Sequence, residues 1–287
     1  MGGPAGGVTA RVKQFESRKV ERNDMSHAGR ASAWVRPMAA HAGRRGRLRL
    51  FCFPYAGSGT RAFRGWAEEL PDGMDVYGIQ LPGRDDRLGE RPMDDVSELL
   101  DELIPALEPY LDGPFAFFGH SMGALLCWET ARSMRRAYGL LPRHVFVSGC
   151  KPPPLIGEST GSGDVVPVLG DSELIERMRA LGGTPEEILK DAGLMSVVLP
   201  AFRADYGMLA RYRYTPGELL PCPLTVFGGD RDPRAVPDEL GGWAELVKEA
   251  PDVCVLPGGH FFLHTERKRL LAEISARLDG GCAPRHV

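Results

Sequence analysis

Short apolar runs recur along the chain at residues 48–53, 76–81, 115–118, 145–148, 224–227 and 253–256. Each suits the length of a strand and is too short for a helix. They are apolar almost throughout, without the alternation of a half-exposed strand, so both faces of each must be covered. Helical patterns lie between them, at 60–70, 94–111, 122–138 and 265–278. In 94–111 the apolar residues Val96, Leu99, Leu100, Leu103, Ile104 and Leu107 return every three or four positions. Strands alternating with helices predict a parallel α/β sheet with right-handed crossovers.

Two stretches depart from this rhythm. Between Cys150 and Pro221 no strand is legible. A Pro/Gly/Ser-rich segment (151–170) gives way to helical patterns at 171–181, 185–191 and 194–212. An all-helical insertion at 151–220 reads as a lid over the sheet, or as extra helices on its edge. Residues 1–46 are rich in Gly, Ala and Arg and carry no sustained apolar period. They read as a disordered extension or a tag, with Met25 a plausible later start, and the domain is placed at 47–287.

Composition removes several classes of function. The net charge of -3 gives no global support for nucleic-acid binding. No run approaches the length of a membrane span. Six cysteines without a CxxC pair, in a chain of 287 residues, read as buried free thiols in a reducing cytoplasm, not as disulfides or a zinc site.

The chemistry concentrates at Gly119-His120-Ser121-Met122-Gly123. A strand pattern precedes it and a helical pattern follows, the context that makes G-x-S-x-G a nucleophile elbow. The turn exposes the Ser121 hydroxyl, and the helix after it aims amides at a developing oxyanion. A serine needs a base, expected after a late strand. His260, in Gly258-Gly259-His260, fills that place, with His264 the second candidate. The acid that orients the base should follow the preceding strand. Asp232 is preferred there and Asp230 is the alternative. The loop Pro54-Tyr55-Ala56-Gly57-Ser58-Gly59 follows the first strand, and an amide near Ala56 (or Tyr55) is expected to join that of Met122 in the oxyanion hole.

The blocks FCFPYAGSGT (51–60), GIQLPGRDDRLGE (78–90), PFAFFGHSMGALLCWETAR (114–132), LPAFRADYGMLARYRY (199–214), VFGGDRDP (226–233) and PGGHFFL (257–263) resemble the discrete type II thioesterases of polyketide and nonribosomal peptide pathways. One departure is Ser58, where the usual block has a second glycine. The resemblance implies an α/β-hydrolase fold with a flexible helical lid, and Ser121, Asp232 and His260 as a triad needing no cofactor or metal. It implies hydrolysis of acyl groups from the phosphopantetheine arm of acyl-loaded carrier proteins. The chain is expected to be a cytoplasmic monomer without nucleic-acid or membrane partners. The alternatives are another esterase or acyltransferase of the same fold, or a chain-releasing thioesterase. Leu194, Met195, Val197, Val198, Leu199, Phe202, Met208 and Leu209 are candidates to line an acyl chamber. Arg203 and Asp205 are candidates to brace the lid, and Arg84 and Arg87 to meet an acidic carrier protein.

Overall fold

The computed structural model describes residues 33–39, 47–156 and 170–279. Among them seven strands form one sheet. They are β1 (Val35–Pro37), β2 (Leu48–Phe53), β3 (Met74–Ile79), β4 (Phe115–His120), β5 (Val145–Ser148), β6 (Leu224–Gly229) and β7 (Asp252–Leu256). The order is β1-β3-β2-β4-β5-β6-β7, parallel except for β1, which runs antiparallel to β3. The helices are α1 (Trp66–Glu69), α2 (Val96–Leu107), α3 (Met122–Tyr138), α4 (Asp171–Leu181), α5 (Glu186–Lys190), α6 (Ala192–Arg211), α7 (Pro237–Leu240), α8 (Phe262–Thr265) and α9 (Arg267–Asp279).

The first five apolar runs are strands with both sheet faces covered; the sixth departs from that expectation, because β7 is an edge strand on which Val253 and Val255 are exposed. Along β2, Phe51 and Phe53 enter one core while Leu50 and Cys52 enter the other. The first core receives Leu99, Leu103 and Leu107 of α2 and Leu126 and Trp128 of α3. The second receives Leu270, Leu271 and Ile274 of α9 against Phe118, Phe146 and Phe227. Each such fully buried side chain contributes about 1.5–3 kcal/mol of transfer free energy. The helix ends follow local chemistry. The Asp95 side chain accepts from the Glu98 N–H at 2.9 Å to open α2, and Gly139 closes α3 in the left-handed region.

The stretch expected to be a disordered extension contains β1, which corrects that expectation for residues 33–39. Trp34 and Val35 are buried, and Val35 pairs with Ile79. The Arg87 guanidinium lies 4.3 Å over the Trp34 ring. Three residues are too few to show a period, and Pro37 is tolerated only because β1 is an edge strand. The rest of that stretch (1–32 and 40–46), most of the 151–170 segment (157–169) and residues 280–287 with Cys282 lie outside the described residues. The five described cysteines are free thiols.

The helices of the insertion carry a small core of their own. Leu174, Met178, Leu189, Met195, Leu199 and Phe202 pack together, with Ala56 against them. The eight residues expected to line one chamber divide three ways. Met195, Leu199 and Phe202 are in this small core, with Val198 packed on it. Met208 belongs to the first sheet core, with Leu209 packed against it. Leu194 and Val197 are exposed.

Candidate active site

The five residues singled out in the sequence come from four connections at one end of the sheet. Ser121 stands between β4 and α3 with φ 55° and ψ -119°, a conformation disfavoured for any residue with a Cβ. What holds it there is close backbone contact. A Cβ at Gly119 would lie 2.0 Å from the Gly123 carbonyl oxygen, and one at Gly123 would lie 2.1 Å from that of Phe53. Only glycine fits either place, so the two glycines allow the tight turn that lifts the serine. The Ser121 N–H donates to the Ser148 carbonyl at 2.8 Å, tying the elbow to the end of β5.

His260 follows β7 and Asp232 follows β6. Ser121 Oγ is 3.0 Å from His260 Nε2, and His260 Nδ1 is 2.9 Å from Asp232 Oδ2. Asp232 and His260 are 2% and 5% exposed, so the line of hydrogen bonds lies almost wholly out of water, where it is strongest. The other carboxylate oxygen of Asp232 accepts from the Arg234 N–H at 2.9 Å, which fixes the carboxylate plane.

The alternatives are engaged elsewhere. Asp230 Oδ1 accepts from the Gly258 N–H at 2.7 Å, and that bond holds its carboxyl below the usual range. It braces the loop after β6 against the loop after β7. His264 lies in α8 with Nε2 3.1 Å from the Tyr55 hydroxyl, and burial lowers its pKa. His120 is fully buried with Nδ1 2.9 Å from Ser148 Oγ, and desolvation pushes its pKa well below the ordinary histidine value. Its ring centre is 5.1 Å from that of His260.

The loop after β2 starts against the elbow, where the Phe53 and Pro54 carbonyls face Gly123, and runs on into Ala56. Among the described residues neither the Ala56 nor the Met122 N–H donates to a backbone acceptor. The neighbouring Gly57 N–H donates to Asp205 Oδ2 at 2.7 Å. Asp205 comes from α6 and is also gripped by Arg84, Nη1 to Oδ2 at 2.7 Å and Nη2 to Oδ1 at 2.8 Å. Arg84 and Arg87 are therefore not free to meet a partner. Both are buried, and Arg87 is spent on Glu90, the Gln80 carbonyl and Trp34. Asp205 does brace the insertion, with Arg84 as its counterion, while Arg203 pairs with Asp171 at the surface. The signal for Asp205 was an acidic residue on the apolar face of a helical pattern. The described residues hold no cluster of His, Cys, Asp and Glu fit for a metal ion, and no helix among them is long and apolar enough to cross a membrane.

Residues 48–278 match the thioesterase domain family. The chain is 38% identical over 239 residues to the gramicidin S biosynthesis protein GrsT of Aneurinibacillus migulanus, covering 83% of this chain and 92% of that one. Among solved structures it is similar to the type II thioesterase BorB of the borrelidin cluster, with TM-score 0.77, 35% identity, and coverage of 86% of this chain and 98% of that one. It is also similar to RedJ, a thioesterase of the prodiginine pathway in Streptomyces coelicolor, with TM-score 0.73, 41% identity, and coverage of 84% and 96%.

Proposed function

The chain belongs to the thioesterase family and has its α/β-hydrolase fold, and from that premise we propose a serine thioesterase that removes acyl groups from carrier-protein phosphopantetheine arms. It edits a polyketide or nonribosomal peptide assembly line by clearing misprimed or stalled units. One observation carries the proposal: a continuous hydrogen-bonded line from Ser121 through His260 to Asp232, on an elbow beside two amides with no backbone partner among the described residues.

The chemistry runs in two halves. Ser121 Oγ attacks the thioester carbonyl carbon while His260 Nε2 takes its proton. Asp232 holds the Nδ1–H tautomer and stabilises the imidazolium. The carbonyl oxygen becomes an oxyanion that accepts from the Met122 and Ala56 N–H groups. Collapse breaks the carbon–sulfur bond, and His260 gives its proton to the departing thiolate. Water then attacks the Ser121 ester with His260 again as base, releasing the acid and the free serine. A monomer working in the cytoplasm is part of the same proposal. Residues 47–287 are proposed as the catalytic domain, with the lid at 151–220.

The test is turnover on a series of acylated carrier proteins, with acyl oxygen esters alongside. Thioesters hydrolysed well ahead of oxygen esters is the expected outcome. Ser121→Ala should lower turnover by about 10⁴-fold or more while leaving the circular dichroism spectrum intact. Activity of Ser121→Ala within tenfold of the parent would remove the serine from the mechanism.

A further inference from the structure

The bidentate pair of Arg84 and Asp205 lies outside the proton-transfer line, yet it closes on the residues that follow Ala56. The Asp205 carboxylate, with none of its surface exposed, accepts from the Gly57 N–H. Arg84 Nη1 donates to the Ser58 carbonyl at 3.1 Å. The amide after Ala56 and the carbonyl one residue further on are thus both held by one buried ion pair. The hold is reinforced by packing: a Cβ at Gly57 would meet the Phe202 ring at 2.6 Å, and Gly57 itself has φ +75°. Phe202 and Asp205 lie three residues apart on α6, so one helix face supplies both contacts.

A charged carboxylate buried this deeply is expensive unless its counterion is fixed. Two apolar side chains of similar size would fill the space without that cost. The charges do something an apolar pair cannot: they fix the direction of a backbone N–H and a backbone C=O in a Gly-rich loop. We propose that Arg84 and Asp205 are positioning residues for the oxyanion hole, holding the Ala56 N–H on the oxyanion by clamping its neighbours. The inference rests on the assignment of Ala56 to the oxyanion hole made above.

Two inhibitors separate the possibilities. An acyl trifluoromethyl ketone forms a tetrahedral adduct with the serine and places an oxyanion in the hole. An unreactive acyl thioether occupies the same site without one. The variants are the double replacement Arg84→Met with Asp205→Leu, which leaves no unpaired buried charge, and the single Asp205→Asn. In the double variant kcat on an acyl thioester should fall by about 10²-fold, the effect of losing one oxyanion donor, with KM within about threefold. Affinity for the ketone should fall by a similar factor, and that for the thioether should stay as in the parent. A folded double variant with kcat within threefold of the parent, or with ketone affinity unchanged, overturns the proposal. If the double variant does not fold, Asp205→Asn is judged by the same two criteria per molecule labelled by a fluorophosphonate. A parent enzyme that binds the ketone no better than the thioether would instead overturn the serine and oxyanion reading beneath it.

Discussion

Asp230 and Asp232 stand two residues apart on one loop, and hydrogen bonds divide their work. Asp232 faces His260, while Asp230 faces the Gly258 amide. Asp232→Asn should lower turnover by up to about 10⁴-fold with little change in melting temperature, because the amide stabilises the wrong imidazole tautomer. Asp230→Asn should keep turnover within about tenfold, since it loses only part of a charge-assisted bond between loops, and should melt slightly earlier. Activity assays with thermal melts of both variants decide this, and a larger activity loss in Asp230→Asn would exchange the roles. Spacing alone left both aspartates open, since both lie just past the end of a strand. The amide that claims Asp230 belongs to a loop nearly thirty residues on and left no mark in the local sequence. A second residue-scale effect concerns pH. His144 bonds through Nε2 to Thr225 Oγ1 at 2.8 Å, and burial, with the charge of Arg277, lowers its pKa to about 4. Its unfolded value is near 6.5, so between the two the unfolded chain binds the extra proton. Stability therefore falls as pH drops from about 6.5 to about 4, by an amount on the order of 3 kcal/mol from this group. Urea midpoints at pH 7, 5.5 and 4.5 should show the slope, and His144→Gln should lessen it, leaving the share of His120 and His264, whose values burial also lowers. An unchanged slope in that variant would shift the effect to other groups.

At the scale of elements, what was legible depended on how each element is covered. The interior strands β2 to β6 were clear because two cores hide both faces, whereas the run of β7 was legible although Val253 and Val255 are exposed at the sheet edge. β1 was not, because an edge strand of three residues is held by register with β3 and by the Arg87–Trp34 contact, neither of which is local in sequence. The elbow was the most legible element of all, since its glycines answer a geometric need that can be measured. The missing side chain at Gly123 is what lets the strand β2 end against the start of α3. Gly123→Ala should therefore cost about 3 kcal/mol or more, at or above the upper end of ordinary overpacking, because the obstacle is the Phe53 carbonyl and not a movable side chain. The check is the urea midpoint of the variant against the parent. A shift equivalent to less than about 1 kcal/mol would mean that the turn relaxes at little cost.

At the scale of the whole molecule the insertion touches three of the four connections of the site, those after β2, β6 and β7. Phe202 and Asp205 meet Gly57, a Cβ at Gly183 would strike the Phe261 ring beside His260, and the Tyr206 hydroxyl accepts from Arg234, two residues past Asp232. The sequence revealed that the segment is helical but not which way it faces, because its apolar residues serve two cores at once. The division falls near the middle of α6. Met195 and Leu199 pack with α4 and α5 in the small core, whereas Asp205 and Met208 are anchored to the body of the domain. Pro200 lies between, and its missing N–H removes one rung of the helix ladder. Residues 171–199 thus rest on five buried side chains of their own packed with Phe202, while 201–211 are also anchored to the sheet through Asp205 and Met208. Local opening free energy follows the apolar contacts that opening breaks. Hydrogen exchange should accordingly divide α6 at Pro200, with 171–199 exchanging together and ahead of 201–211 and of β2 and β4. Phe202→Ala removes a ring from the small core, a loss of about 3 kcal/mol, so it should speed exchange in 171–199 by about two orders of magnitude while β2 and β4 stay as in the parent. Uniform exchange along α6, or equal acceleration in the sheet strands, would show that the insertion and the sheet open as one unit.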